Sequence, residues 1–354
     1  MPPSMSPHSP ISIAMRLADD TGASARWDDY VLAHPQGCFF HLSGWRAVLR
    51  ESFGHPAHFL MTQQNGAITG VLPLGEIKSR LFGHSLISSP FCVGGGPLAS
   101  DPAALTALLA EAEEAARSLG AEYVELRDTT VAPDNWARRE GLYAGFERPI
   151  KPDEGECLTQ IPRKQRAVVR KAMTLDFTVT IDSTIEHFFP LYARNVRNHG
   201  TPAMPRRFFE SLLKHFGKNC EILTVHHQGR AVSSVLSYYF RDRVLPYYTG
   251  SLEEARGTGA NDYMYWSLMR HAVTRGCAIF DFGRSKTGTG PYKFKHNWGF
   301  EPRPIVHQFR LLKGEKLPDI NPNNPKYALF IRAWQKLPLP VANAISPFLS
   351  RSLA

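Results

Sequence analysis

The 354-residue chain is short of cysteine, of acid and of long apolar runs, and each shortage excludes a class of protein. Its five cysteines (Cys38, Cys92, Cys157, Cys220 and Cys277) are odd in number, far apart and mostly set in apolar runs. That usage fits reduced core thiols in the cytoplasm and speaks against a disulfide framework or a zinc site. No run approaches the roughly 20 apolar residues needed to span a bilayer. The opening residues have no charged segment followed by a long apolar one, so no signal peptide is expected. GxSxG, HExxH and CxxC are absent, which leaves serine hydrolase, zincin and thioredoxin chemistry without support. His226-His227 has no partner carboxylate nearby in sequence and reads as a strand edge, so no metal site is expected. Acidic side chains number 32 against 41 Lys plus Arg, giving +9 and a pI near 9.3. That balance favours a polyanionic partner such as RNA, a phosphorylated precursor or an acidic membrane surface.

The richest stretch is 276–302, GCAIFDFGRSKTGTGPYKFKHNWGFEP. Its apolar start, 277–282, has the pattern of a strand buried on both faces. Beyond it, Gly283, Gly288 and Gly290 loosen the backbone, while Arg284, Lys286, Lys293 and Lys295 add cations among Tyr292, Phe294, Trp298 and Phe300. A loop of this composition at a strand end suits an anionic or carbonyl-bearing ligand; a solvated glycine turn is the plainer reading. Thr289 stands where a P-loop needs lysine, and the third glycine of a dinucleotide fold is missing. Asp281 could act as a base, orient the loop or simply cap the following turn.

In chain order, residues 1–20 read as a loose tail. Asn65-Gly66 joins strands over 57–63 and 67–78, a third strand covers 85–89, and a helix capped by Asp101 runs over 102–119 to Gly120 and a strand at 121–126. The same order returns later: strands 221–227 and 231–240 around Gln228-Gly229, strand 244–250, a glycine turn, helix 261–275, Gly276 and strand 277–282. This internal duplication predicts two similar α/β domains, mixed sheets flanked by helices, with limits 21–155 and 156–315. Between the copies, 161–172 reads as a basic helix following a strand, with Arg163, Arg166 and Arg170 on one face and Lys164 and Lys171 beside them. Cations without acids on one helix suit a phosphate or tRNA backbone, or else form a solvated basic face. Helices are expected over 185–197 and 205–216. The tail 316–354 is Pro-rich, with an aromatic-basic helix at 326–336 that fits either a membrane surface or packing on the domain.

Residues 254–259, Glu-Ala-Arg-Gly-Thr-Gly before Asn261, are similar to the acyl-CoA loop of GNAT acetyltransferases, which hold pyrophosphate on amides at a helix start. Glu254 puts an acid at the opening position, which favours a donor other than CoA; Arg256, Gly257, Gly259 and Asn261 make up the candidate donor loop. The chain as a whole, from about 27 to 312, resembles the FemAB/FemX-like transferases. The resemblance rests on Phe39-Phe40-His41-Leu42-Ser43-Gly44-Trp45, Gly95-Gly96-Pro97, the basic segment 163–172, Phe280-Asp281-Phe282-Gly283, Tyr292-Lys293-Phe294-Lys295 and Asn297-Trp298-Gly299-Phe300. The last block looks like the branch associated with exosortase and exopolysaccharide clusters.

The resemblance implies two tandem GNAT-like domains and an aminoacyl or acyl transfer onto an amine or hydroxyl of a cell-envelope or exopolysaccharide precursor, lipid-linked or nucleotide-linked. The donor would be aminoacyl-tRNA or acyl-CoA, with no tightly bound cofactor. It places Phe294 and Lys295 where donor and acceptor meet and the 163–171 segment on phosphates. Lys295, stabilising the carbonyl oxyanion, and Asp281 would be the catalytic pair, and Tyr292, Lys293, Arg284 and Tyr248 would line the site. The chain lacks the inserted coiled-coil arm of some tRNA-using members. An acyl-CoA-dependent N-acetyltransferase and a non-catalytic sugar-binding module are the alternatives. The expected location is the cytoplasm, with peripheral contact at the inner membrane through 326–336 as the variant.

Overall fold

The computed structural model describes residues 12–17, 20–79, 83–318 and 325–352. They divide into two compact units, the first of 1–50, 54–139 and 306–318, the second of 51–53, 140–305 and 319–354. The units therefore part at 139/140 rather than at 155, and 306–318 returns to the first.

Unit 1 opens with strand β1 (Ser12–Arg16), which pairs antiparallel with β2. Part of the expected loose tail is thus sheet; residues 1–11 lie outside those described. Helices α1 (Thr21–Ala33) and α2 (Trp45–Phe53) follow, then β2 (Ala57–Gln64), β3 (Ala67–Ser79), β4 (Gly83–Ser88) and the short β5 (Leu98–Ala99). Asn65 and Gly66 both take positive φ, as a two-residue hairpin of this twist demands. Helix α3 (Pro102–Leu119) starts where Asp101 accepts the Ala104 amide proton at 2.8 Å and Pro102 fills the first turn. Its Ala104, Leu108, Ala112 and Ala116 recur every four residues and are buried on the sheet with Leu60, Leu72, Leu86 and Val124. Burying Leu108 alone contributes about 1.5–3 kcal/mol. Strands β6 (Tyr123–Arg127) and β7 (Ala137–Arg139) end the first half.

Unit 2 begins with β8 (Tyr143–Pro149) and the short α4 (Glu154–Thr159), which separates that strand from the basic helix α5 (Arg163–Met173). Next come β9 (Phe177–Asp182), α6 (Phe188–Asn198), α7 (Arg206–Phe216), β10 (Cys220–His227), β11 (Arg230–Phe240), β12 (Arg243–Ser251) and α8 (Ala260–Thr274). Gly250 has a steric duty: a Cβ there would come within 2.2 Å of the Tyr192 backbone nitrogen, so α6 can lie on β12 only if this residue has no side chain.

Strand β13 (Ile279–Lys286) corrects the expected buried strand at 277–282. It begins two residues later, runs four further, and alternates buried and half-buried positions at first, so one face is not sealed. The expected glycine loop is mostly the helix α9 (Gly290–Asn297), begun by Thr289 and Pro291, with Phe294 and Trp298 four residues apart at 6.1 Å between ring centroids. Strand β14 (Pro302–Pro304) joins β8, and β15 (His307–Leu311) returns to the first sheet between β6 and β7. The tail holds α10 (Pro325–Lys336) and α11 (Leu339–Ser350), the latter unexpected in a Pro-rich segment.

The duplication is real and carries an exchange. Each sheet has an antiparallel run joined to a parallel strand, β4 with β6 and β12 with β13. The first sheet takes β15 from the end of the chain, and the second takes β8 from the end of the first half.

Candidate functional site

The parallel partners β12 and β13 meet at only two residue pairs, Arg243–Ile279 and Val244–Phe280, although both strands continue for six residues or more. Beyond Val244 they part. Two irregularities shape the gap: β12 shifts register against β11 between Ser237 and Leu236, leaving Tyr247 as the extra residue, and β13 shifts against β8 between Asp281 and Arg284. Bulges of this kind re-aim side chains and end pairing. Past this point Thr249 of β12 is met by side chains instead, its carbonyl accepting from Asn195 Nδ2 at 3.4 Å.

Asp281 stands at the start of the β13 bulge, and Oδ1 accepts the Gly283 amide proton at 2.8 Å. Burial pushes its carboxyl up to about 6, with Glu147 adding to the rise and Arg243 and Lys295 opposing it. Lys295 reaches back from α9 so that Nζ donates to the carbonyls of Phe282 (2.6 Å), Arg284 (2.9 Å) and Gly283 (3.3 Å). It also lies over the Phe146 and Phe282 rings at 5.6 and 5.8 Å. Burial draws this ammonium down to about 7. An ammonium has three protons, and here three backbone carbonyls receive them. The expectation that Lys295 donates directly to a reacting carbonyl therefore needs correction: as placed, it clamps the bulge that turns β13 away from β12.

Tyr265, which sequence reasoning passed over, bridges the parted strands. Its hydroxyl hydrogen-bonds Thr249 of β12, while its ring meets Phe282 of β13 at 4.7 Å and Phe294 at 5.6 Å. Burial raises the phenol to about 12. Phe294 is half-buried among Tyr265, Phe282 and Trp298. Tyr292 packs edge-on to Phe146 at 5.2 Å, Arg284 lies 4.4 Å over the Tyr143 ring, and Lys293 is exposed. Tyr248 belongs to a different group, an aromatic cluster with Tyr192, Phe208 and Phe209 under α6 and α7.

The start of α8, the candidate donor loop, is a covered helix end. A Cβ on Gly259 would sit 3.3 Å from the side chains of Val168 and Ala172, so α5 lies directly against it. Asp262, in the first turn of α8, accepts the Trp298 indole proton at 3.1 Å and a hydrogen bond from Gln165, tying α8, α5 and the end of α9 together. Burial raises this carboxyl, partly offset by those bonds. Asn261 accepts from Ser233 Oγ at 2.7 Å and donates to Ser251 Oγ at 3.2 Å. Gly257 is exposed in the preceding turn; the Arg256 and Glu254 side chains lie outside the described residues.

On α5, Arg163, Lys164, Arg170 and Lys171 are exposed and Arg166 half-buried, while Val169 and Ala172 face the core. Arg148 was also missed. Its Nη1 donates to Gln160 O at 2.8 Å, its guanidinium covers Phe300 at 4.4 Å, and burial lowers it to about 10. For Asp262, likewise missed, the sequence signals were Trp298, whose buried N–H requires an acceptor, and an acid in the first turn of a helix.

Comparison with known proteins agrees with this geometry. Residues 156–296 match a family described as an acetyltransferase (GNAT) domain. No curated protein matches the sequence significantly. Among solved structures, FemX is similar at 18% identity and a TM-score of 0.66, over 83% of this chain and 96% of that one. A tandem GNAT protein from the clavulanic acid biosynthesis pathway is similar at 13% and 0.50, over 86% and 99%. The C-terminal domain of an Agrobacterium fabrum protein named for lysylphosphatidylglycerol synthetase is similar at 14% and 0.54, over 80% and 90%. A GNAT-matching segment that encloses the parted strands, within a chain of two such sheets, gives this protein a tandem GNAT fold.

Proposed function

We propose that unit 2 transfers an aminoacyl or acyl group onto an amine or hydroxyl of an anionic cell-envelope or exopolysaccharide precursor. The observation that carries this reading is the opening between β12 and β13, with Asp281 and Lys295 at its mouth. An extended acyl donor laid between the parted strands would lie along their backbone, which would orient the carbonyl and bring amide protons to its oxyanion. The acceptor nucleophile then attacks: a C–N or C–O bond forms, the donor's ester or thioester bond breaks, and the leaving oxygen or sulfur takes up a proton. Asp281, with a carboxyl near 6, is matched to accept the nucleophile's proton at neutral pH. In this reading the Tyr265 hydroxyl, which bridges the parted strands beside Thr249, returns a proton to the leaving group.

For the donor, we favour aminoacyl-tRNA over acyl-CoA. A diphosphate on the start of α8 would meet α5 beside Gly259 and the Asp262 carboxylate in the first turn, an anion where an anion would bind. The exposed cations of α5 suit a phosphodiester backbone instead.

The deciding experiment incubates the purified protein and a lipid-linked or nucleotide-linked precursor with charged tRNA or with acyl-CoA, and reads acceptor mass. A gain with charged tRNA is expected; a gain only with acyl-CoA overturns the donor, and binding without any gain makes the protein a recognition module. Lys295→Ala should lower kcat by roughly tenfold or more, with a smaller change in KM, because the clamp shapes the gap rather than holding the acceptor. Unchanged kcat removes Lys295 from the mechanism.

A further inference from the structure

Helices α10 and α11 form the most exposed apolar surface in the described part of unit 2. They pack on α6 through a defined inner face. Trp334, Ala342, Ser346 and Ser350 are buried, Ser346 Oγ accepts the Ala203 amide proton at 3.0 Å, and Arg197 Nη1 donates to the carbonyls of Gln335 (3.1 Å) and Leu337 (3.3 Å). Gly200 lies against Ile331 so closely that a Cβ there would come within 2.4 Å. Both helices are therefore seated on α6 by their inner face.

Its outer face is also apolar. Leu329 is 81% and Phe348 75% exposed, and Phe330, Val341 and Ile345 are exposed beside them. No other large apolar side chain among the described residues is more than half exposed, the next being Leu32 at 49%. On α11, Val341, Ile345 and Phe348 recur at spacings of four and three, while the buried set 342, 346 and 350 occupies the other side. The helix carries no charged residue from Leu339 to Ser350. A helix apolar on both sides belongs in a second apolar medium.

The charges identify that medium. From 320 to 354 the sequence contains Lys326, Arg332, Lys336 and Arg351 and no Asp or Glu, and Arg332 and Lys336 are exposed. A second copy of the chain seated on this face through a twofold axis would bring the same cations together. Apolar side chains flanked by cations match the acyl–headgroup boundary of an anionic bilayer. We infer that α10 and α11 form a docking face for anionic membranes, on which Leu329, Phe330, Val341, Ile345 and Phe348 insert below the headgroups and Arg332 and Lys336 contact lipid phosphates. The face fixes where the protein works, independently of the reaction proposed above: an acceptor held in a bilayer would be presented to an enzyme already at its surface.

The test is flotation of the full chain with vesicles of phosphatidylcholine alone or mixed with phosphatidylglycerol. The protein should float with the anionic vesicles, less with the neutral ones and less at high salt. Leu329→Ser with Phe348→Ser should cut partitioning by roughly tenfold or more without lowering the melting temperature, since both side chains already face solvent. Arg332→Gln with Lys336→Gln should lower binding to anionic vesicles only. A wild-type protein that stays out of anionic vesicles, or a serine variant that floats equally well, overturns the proposal. So does a light-scattering dimer that the serine substitutions split while vesicles capture neither form. None of these outcomes bears on whether acyl transfer occurs in solution.

Discussion

In unit 1 the parallel pair β4–β6 leads to Glu125 and Arg127 at the end of β6, with His307 delivered beside them by β15. In unit 2 the pair β12–β13 leads to Asp281 and, reaching back from α9, Lys295. The first group is self-satisfied. Glu125 Oε1 accepts from Arg127 Nε at 2.9 Å and His307 Nδ1 at 3.1 Å, and all three side chains are buried. Burial would raise the Glu125 carboxyl, but Arg127 and His307 outweigh it and hold it at about 2. In the second group Asp281 and Lys295 favour each other's charged form, yet burial outweighs that and moves both toward neutral pH, to about 6 and about 7. Buried charges with partners lock a fold; titratable groups held near the working pH can pass protons. Equivalent positions of the two sheets thus carry a mutually bonded, buried trio in unit 1 and a carboxyl and an ammonium shifted toward neutral pH in unit 2.

Removing Asp281 should separate the two most sharply. Asp281→Asn should lower transfer by roughly 10²–10⁴-fold while the fold persists. The wild-type rate should rise with pH through about 6 as the carboxylate forms, and the variant should lose that limb. A variant whose pH–rate profile still rises there takes Asp281 out of the proton path. The matching change in unit 1, Glu125→Gln, should leave the turnover of folded protein alone but cost about 3–5 kcal/mol in urea unfolding. Glu125 has a depressed native pKa, so its contribution is complete above 4.5 and is lost as pH falls through about 2. Acid unfolding of the variant should lack that component. An activity loss matching that of Asp281→Asn would instead make unit 1 catalytic. The smallest effect should come from α5: Arg163, Arg166 and Arg170 changed together to Gln should weaken tRNA binding by about tenfold and flatten its salt dependence, with kcat retained. An unchanged salt slope would make α5 a solvated basic face.

The parts of the fold legible in the sequence were those fixed locally. Asn65-Gly66 and Gln228-Gly229 set both hairpins, Asp101 and Pro102 started α3, and Gly120 and Gly276 ended equivalent helices. Features set by distant chain were not legible: β15 crossing into the first sheet, Asp262 meeting Gln165 and Trp298, and the Lys295 clamp on three carbonyls. Local chemistry also misled once. Glycines among lysines in 283–295 read as a loop, yet Pro291 in a first turn and the tilted Phe294–Trp298 ring contact accompany a helix over its second half. At the candidate site, Asp281 and Lys295 stood out by residue type and position, but the ammonium's three carbonyl acceptors were not legible.

The traded strands bear on how the protein comes off the ribosome. The first sheet cannot gain β15 until translation has passed residue 311, so at about 5–20 residues per second it waits many seconds with β6 and β7 unjoined. Cutting the gene at the apparent midpoint would strand one half without its returning segment and the other without β8. Each of the two like sheets thus contains a strand supplied from the other half of the chain.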